Sequence, residues 1–230
     1  MIKKLMRSIE KRKKRQKLPT ISDHMVWNRQ PFWTEANQKF GFVKGIPDIR
    51  LYFLQSVLRS LENVEGDIAE CGVRYGKSAL FMHDVLIRPR HIYLFDSFEG
   101  LSEPTEGKDI KSAVDPKTGK RRFALENLDE VLSRFEGKSI TALKGWIPDR
   151  FLEVADKTFA LVHVDVDFYQ PTLDALEFFY ERMPQYAILI CDDYGSGNFP
   201  GARDAMDEFF AKRPENIIEL PQGQGFIVKH

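Results

Sequence analysis

The chain has 230 residues, 43% of them hydrophobic, which is enough to bury one large α/β core without a second domain. Lys+Arg and Asp+Glu both number 34, so the balanced charge gives no global attraction to nucleic acid. No apolar run reaches the length of a signal core or a membrane span, and Cys71 and Cys191 lack disulfide or zinc spacing; a cytoplasmic location is expected.

Residues 1–17 read as a basic helix. Lys3, Lys4, Arg7, Lys11, Arg12, Lys13, Lys14, Arg15 and Lys17 face only Glu10, while Ile2, Leu5, Met6 and Ile9 form an apolar stripe. Such a helix suits an anionic membrane surface, here the inner face, or a partner subunit. A solvated arm is the plain alternative. Residues 19–47 are aromatic-rich and irregular (Trp27, Phe32, Trp33, Phe40, Phe42), with turn signals at Pro31, Gly41 and Gly45. They read as a cap packed on the domain. The expected division is therefore 1–47 as helix and cap, and 48–230 as the main domain.

A helix is predicted over 49–61, with Leu51, Leu54, Val57, Leu58 and Leu61 on one face. A strand at 67–69 then leads through Glu70 into a turn punctuated by Gly72 and Gly76, and Ser78 begins a helix. A bare turn lets a ligand approach the backbone, and a helix N-terminus offers unpaired N–H groups. A phosphate-binding P-loop needs four residues between its glycines, the second followed by Lys-Ser; only three separate Gly72 from Gly76, and Cys71 stands where the glycine belongs. A dinucleotide fingerprint would require glycine at Arg74. What remains is an acid, Glu70, that repels polyphosphate and welcomes a cation. S-adenosylmethionine carries an ammonium, a sulfonium and a carboxylate, so it suits an acid followed by a helix N-terminus. The alternative is a tight turn with no ligand.

The apolar strand 92–95 ends in Asp96-Ser97-Phe98-Glu99-Gly100. An acid at the end of the second strand of a doubly wound fold commonly accepts from both ribose hydroxyls of a nucleoside; a turn-capping Asp is the alternative. Residues 101–122 are polar and without period, which reads as a lid over the ligand face. A helix at 124–135, a strand at 139–143 and a turn at 144–146 follow, with Gly145 and Trp146 at the rim where an adenine would lie. Two near-continuous apolar runs, 159–164 and 187–191, indicate strands of a parallel sheet buried on both faces. Helices from Pro171 to Met183 and over 202–212 come next, and 217–220 with 226–229 suggest a closing antiparallel pair. The fold expected is a doubly wound, mostly parallel, Rossmann-like seven-stranded α/β sheet.

The same two buried runs end in acids, Asp165-Val166-Asp167 and Asp192-Asp193. The carboxyl ends of strands are where ligands bind in open α/β sheets. Asp165, Asp192 and Asp193 converging there would repel one another unless a cation joins them or some are protonated. Oxygen-only ligands favour a hard ion such as Mg²⁺. His163 reads as a packed or supporting residue, and Asp167 as a ligand, a substrate contact or a helix-start cap.

Four stretches now stand in order: Glu-Cys-Gly-Val-x-x-Gly-x-Ser, Tyr-Leu-Phe-Asp-Ser-Phe-Glu-Gly-Leu, Val-Asp-Val-Asp-Phe-Tyr-x-x-Thr and Asp-Asp-Tyr-Gly. From about Gly66 to Phe210 the chain resembles the macrocin O-methyltransferase (TylF-like) family, enzymes that use S-adenosylmethionine and Mg²⁺ to methylate sugar hydroxyls of macrolides and aminocoumarins. The resemblance implies a class I methyltransferase sheet and a homodimer acting on a small-molecule or glycan acceptor. It implies that Glu70, Gly72, Gly76 and Ser78 lie near the methionine part of the cofactor. Asp96 and Ser97 would meet its ribose, Gly145 and Trp146 its adenine, and Asp165, Asp192 and Asp193 the metal. Chelation would acidify a sugar hydroxyl and align it with the sulfonium methyl, with Asp165 taking the proton. The chain departs from the family at Arg74, Lys77, Val166 and Pro171, and residues before Gly66 are unmatched. A catechol-type site would carry lysine where Phe168 stands, which favours a sugar over a catechol-like acceptor. The remaining alternatives are a P-loop hydrolase, one loop residue short, and a non-catalytic nucleoside-binding scaffold.

Overall fold

The computed structural model describes Glu35, residues 39–41 and residues 43–230. The basic stretch 1–17 and most of the aromatic segment, including Trp27, Phe32, Trp33 and Phe42, lie outside the described residues. A compact unit runs from Phe40 to His230, and its residues Phe40, Val43 and Ile46 are buried. Among the described residues no helix is long and apolar enough to cross a membrane.

The elements in chain order are α1 (Asp48–Ser60), β1 (Asp67–Cys71), α2 (Lys77–Asp84), β2 (Ile92–Asp96), α3 (Leu128–Ser133) and β3 (Ile140–Lys144). A 3-10 turn (Phe151–Val154), β4 (Phe159–Val164), α4 (Tyr169–Tyr180), β5 (Ile188–Cys191), α5 (Pro200–Phe210), β6 (Ile218–Glu219) and β7 (Gly225–Val228) complete it. One seven-stranded sheet has the order β3-β2-β1-β4-β5-β7-β6. All pairs are parallel except those of β7, which runs antiparallel to both β5 and β6. The doubly wound sheet and its closing antiparallel pair are as the apolar pattern predicts.

β4 reads Phe-Ala-Leu-Val-His-Val and is buried along its whole length, as a central strand covered on both faces must be. The helix α4 lays Thr172, Ala175, Leu176 and Phe179 on the sheet at helical spacing. There Phe179 meets Phe95, Phe151 and Phe159 edge-on, with ring centroids 5.5, 4.9 and 5.0 Å away. This core fixes the register of the strands. Cys71 pairs with Phe95 and Val164, and Val164 pairs with Cys191. The next residues, Gly72, Asp96, Asp165 and Asp192, therefore leave the sheet at one level along one edge.

Several boundaries move. β1 continues through Glu70 and Cys71, which pair with both neighbouring strands instead of entering the turn. The helix expected over 124–135 contracts to α3, because the Leu125 N–H is taken by the Phe98 carbonyl at 3.1 Å. Asn127 then caps α3 by accepting the Glu130 N–H at 3.2 Å. Lys144 belongs to β3 and not to a turn. α4 starts at Tyr169, so Pro171 stands inside its first turn, where its missing N–H costs nothing.

Residues 101–122 contain no helix or strand, only a single bridge between Val114 and Arg121. The segment is nonetheless tied down. Leu101 N–H donates to the Arg122 carbonyl at 3.0 Å, and Arg122 N–H to Ala113 at 2.7 Å. Asp109 accepts from Thr105 N–H at 2.7 Å and from Tyr169 N–H, at the start of α4, at 3.1 Å. Leu101 and Ala113 pack on Phe168 as a small core of their own.

Candidate active site

Gly72 begins the turn after β1 with φ +86°, and a Cβ there would lie 1.9 Å from the carbonyl oxygen of Asp165. Gly76 caps α2 in the left-handed conformation, and its Cβ would lie 2.5 Å from the Phe135 ring. Both glycines are thus required by the chain's own packing, a different reason from the ligand approach that the sequence suggests. Asp96 fixes the turn between them. Its Oδ2 accepts the N–H groups of Val73 and Arg74 at 2.7 and 2.8 Å, and its Oδ1 accepts that of Phe98 at 2.6 Å. Arg134 adds a bond to the Tyr75 carbonyl at 2.9 Å. Replacing Asp96 with Ala should therefore release three N–H groups and loosen both loops. Calorimetry with S-adenosylmethionine is expected to show at least about a tenfold loss of affinity, since a charged acceptor of several bonds is removed. A cofactor affinity equal to wild type would remove Asp96 from the site.

A cavity of about 220 Å³ opens along this edge of the sheet. Of the residues expected from sequence, Gly72, Ser78, Asp96, Ser97, Trp146 and Asp165 line it. Glu70, Gly76, Gly145, Asp192 and Asp193 do not. Glu70 is fully buried within β1, and Gly145 backs onto the Arg150 side chain. The wall also contains Arg74, Phe123 and Asp167, three non-glycine residues with positive φ of 49°, 65° and 64°. Such backbone is costly for L-residues and gathers at functional sites. Arg74 lies over the rings of Tyr75 and Phe123, 4.9 and 4.6 Å from their centroids.

Asp165, at the cavity wall, is one of three acids that meet. Oxygens of Asp165, Asp192 and Asp193 lie within 4.8 Å of one another. Asp192 is well supplied with partners. Gln224 Nε2 donates to its Oδ1 at 2.7 Å, His163 Nε2 stands 3.4 Å from the same oxygen, and Arg50 pairs with Oδ2. The other ring nitrogen of His163 lies 2.9 Å from Glu70 Oε1. Asp193, by contrast, is buried with Oδ2 lacking any hydrogen-bond partner. A buried acceptor left open in this way is expensive unless something fills it. Arg50 and Gln224 escape the sequence reading because they lie 142 and 32 residues from Asp192.

The charges sort these acids into two groups. Burial alone would drive His163 down, but its hydrogen bonds and charge attraction to Asp192 and Glu70 outweigh that and carry it up to about 10. Burial also works against an ionised Asp192, yet His163, Arg50 and Gln224 together hold it below the usual carboxylate range. Asp165 is pushed well above that range by burial and by the charges of Asp192 and Asp193. Asp193 rises to about 6 through burial and the charge of Asp192. Asp167 rises by burial and the charges of Asp193 and Asp192. Glu70 with His163 and Asp192 with Arg50 are thus balanced pairs, and the remaining acids are pushed towards their protonated forms, a repulsion that a hard cation would relieve.

The sheet order, its reversed seventh strand and the cavity at the carboxyl edge define a class I methyltransferase fold. The solved structure of the O-methyltransferase NovP shares it, with a TM-score of 0.67 and 27% identity over 80% of this chain and 81% of that one. Residues 43–221 match the family model described as Macrocin-O-methyltransferase (TylF), and the chain belongs to that family. It is 29% identical to demethyldecarbamoylnovobiocin O-methyltransferase of Streptomyces niveus, over 65% of this chain and 60% of that protein. It is also 29% identical to the 8-demethyl-8-(2,3-dimethoxy-alpha-L-rhamnosyl)-tetracenomycin-C 4'-O-methyltransferase of Streptomyces olivaceus, over 78% of this chain and 70% of that protein. The match thus spans less than two thirds of the first relative's length.

Proposed function

We propose that this chain is an S-adenosylmethionine-dependent O-methyltransferase that, with a divalent cation such as Mg²⁺, methylates a sugar hydroxyl of a glycosylated small molecule. The observation that carries the reading is the acid cluster that meets the cavity at Asp165, with Asp193 Oδ2 buried and open. The donor set suits a hard ion: three carboxylates, two of them left without a balancing cation of their own. Family membership supports the methyl donor, and the tetracenomycin relative is named for methylating a rhamnosyl group. Phe168 is fully buried where a catechol-type site would carry its lysine, which supports a sugar acceptor.

When bound, the sulfonium supplies the methyl group and the cation lowers the pKa of a hydroxyl held beside it. The protein's own part follows from its residues. Asp165, Asp192 and Asp193 hold the cation. Asp165 faces the cavity with its affinity for a proton raised, so it suits the role of base toward the acceptor hydroxyl. Asp96 holds the turn at Val73 and Arg74 with Oδ2 and accepts Phe98 N–H with Oδ1, which leaves one acceptor direction on Oδ1 for a ribose hydroxyl, while Trp146 and Phe123 offer flat apolar walls. Isotope transfer from labelled S-adenosylmethionine to glycosylated acceptors, with and without EDTA, tests the reading. Label should enter the sugar only when the cation is present. Transfer unaffected by EDTA would remove the cation from the reaction.

The charge arrangement also sets a pH dependence. Asp193 rises from 3.8 to about 6 in the metal-free fold. A raised carboxylate pKa means that the folded state holds the proton better than the unfolded one. Its stabilising contribution is therefore full below pH 4 and is lost as pH climbs through 6. Adding Mg²⁺ should restore what ionisation removes. The gain in Tm on adding Mg²⁺ is expected to be roughly 5 °C or more at pH 8 and close to nothing at pH 5. Equal gains at both values would show that the ion is not meeting these carboxylates.

A further inference from the structure

Asp192 has little left to offer an incoming ion. A carboxylate oxygen has two good acceptor directions, and those of Oδ1 are used by Gln224 and His163. On Oδ2 one is used by Arg50. The guanidinium that occupies it is held from two further sides. Arg50 comes from α1, outside the sheet, and its Nη2 donates to the Gln222 carbonyl at 3.0 Å. Gly223 follows closely enough that a Cβ there would lie 3.4 Å from Nη2. The turn carrying Gln222 and Gly223 is tied in its own right to the acid loop, with Gly195 N–H donating to the Gly223 carbonyl at 2.7 Å. Arg50 therefore belongs to a fixed frame around the cluster.

We propose that Arg50 is a built-in counter-ion of the acid cluster, which neutralises Asp192 when the divalent ion is absent and deliberately weakens the hold on that ion when it arrives. This rests on the divalent-cation reading given above. A guanidinium does not lose its proton in proteins, so its charge stays as the ion enters. Like charges a few ångströms apart repel strongly even at an effective dielectric constant of about 20. The repulsion would act across the Asp192 carboxylate, whose Oδ2 keeps one acceptor direction open beside the Arg50 pair. The site is then loaded and unloaded more readily than its carboxylate count would suggest, and the metal-free fold does not rely on protonating Asp192.

The test is calorimetric titration of Mg²⁺ and of Mn²⁺ into the full-length protein without acceptor, comparing wild type, Arg50→Gln and Arg50→Lys. Arg50→Gln should bind the ion at least about tenfold more tightly, whereas Arg50→Lys, which keeps the charge, should stay within about threefold of wild type. In EDTA the Gln variant should melt below wild type, and Mg²⁺ should close the gap. If Arg50 merely positions Asp192, the Gln variant will bind the ion more weakly, and an affinity that is unchanged or weaker overturns the proposal. Wild type that binds neither ion overturns the cation reading and this inference together. Should the Gln variant not accumulate in folded form, the nitrogen resonances of the Arg50 guanidinium in wild type decide the matter. They must shift on saturation with Mg²⁺, and resonances that stay in place count against a counter-ion role.

Discussion

On the proposed reading, Asp165→Asn is expected to lower turnover by about a thousandfold, because it would remove at once a ligand charge for the cation and the carboxylate that would accept the proton. The affinity for S-adenosylmethionine should stay within about threefold of wild type, since the lost interaction matures only as the hydroxyl gives up its proton. Stability should move the other way. In the metal-free fold Asp165 is held well above the usual carboxylate range by burial and by Asp192 and Asp193. An amide there is neutral without taking up a proton, so it removes the cost of protonating Asp165 or of ionising it among like charges. The variant should therefore melt above wild type in EDTA and gain nothing from Mg²⁺, a trade of function against stability of the kind common at charged sites. A variant that keeps wild-type turnover would leave the three acids as ordinary strand-end residues.

Gly72→Ala should be the most damaging single methyl group in the described residues. The added Cβ would stand 1.9 Å from the Asp165 carbonyl oxygen and 2.7 Å from its carbon, both backbone atoms with no rotamer to change. The residue is also held at φ +86°. Overpacking and left-handed strain together are expected to cost about 4 kcal/mol, which corresponds to a fall in Tm of roughly 10 °C for a domain of this size. Because the atoms displaced belong to Asp165, turnover should fall even where the fold survives. Gly107→Ala supplies the control. Gly107 has a similar φ of +77°, but a Cβ there meets nothing within 4 Å, so only the conformational strain of about 1 kcal/mol remains. Equal melting temperatures for the two variants would show that the turn after β1 yields where the geometry says it cannot.

The legible parts of this fold were those that local pattern determines. Buried parallel strands announce themselves as apolar runs, and the acids at their ends follow from the same runs, because register brings strand ends to one edge. The extent of α3 depended on a weaker signal, the pairing of Asn127 with Glu130 three residues on, which marks a helix start better than the apolar residues before it. Gly72 is marked as exceptional by the sequence, but its second reason, the Asp165 backbone lying against it, is visible only in the folded chain. Arg50 and Gln224 carry no local signal at all. Each reaches Asp192 from an element whose approach is set by tertiary packing, and nothing in an α1 that reads as an ordinary amphipathic helix marks its arginine as part of an acid site.

The way residues 101–122 leave and rejoin the domain has a consequence for how such a chain can change. Leu101 and Arg122 are hydrogen-bonded to each other, and the backbone of Arg122 passes so close to Gly100 that a Cβ on the glycine would lie 2.3 Å from its carbonyl oxygen. The excursion begins and ends at one point, so the rest of the sheet is indifferent to its length. Doubling such a loop costs only about 0.6 kcal/mol in closure entropy. Residues could be added or removed around the exposed Gly119, where a Cβ meets nothing within 4 Å, without disturbing the bond from Tyr169 N–H to Asp109 or the packing of Ala113 on Phe168. Of this segment the cavity is lined by Leu101 and Ser102, so the outer loop can vary while that wall and the chemistry beneath it are inherited unaltered.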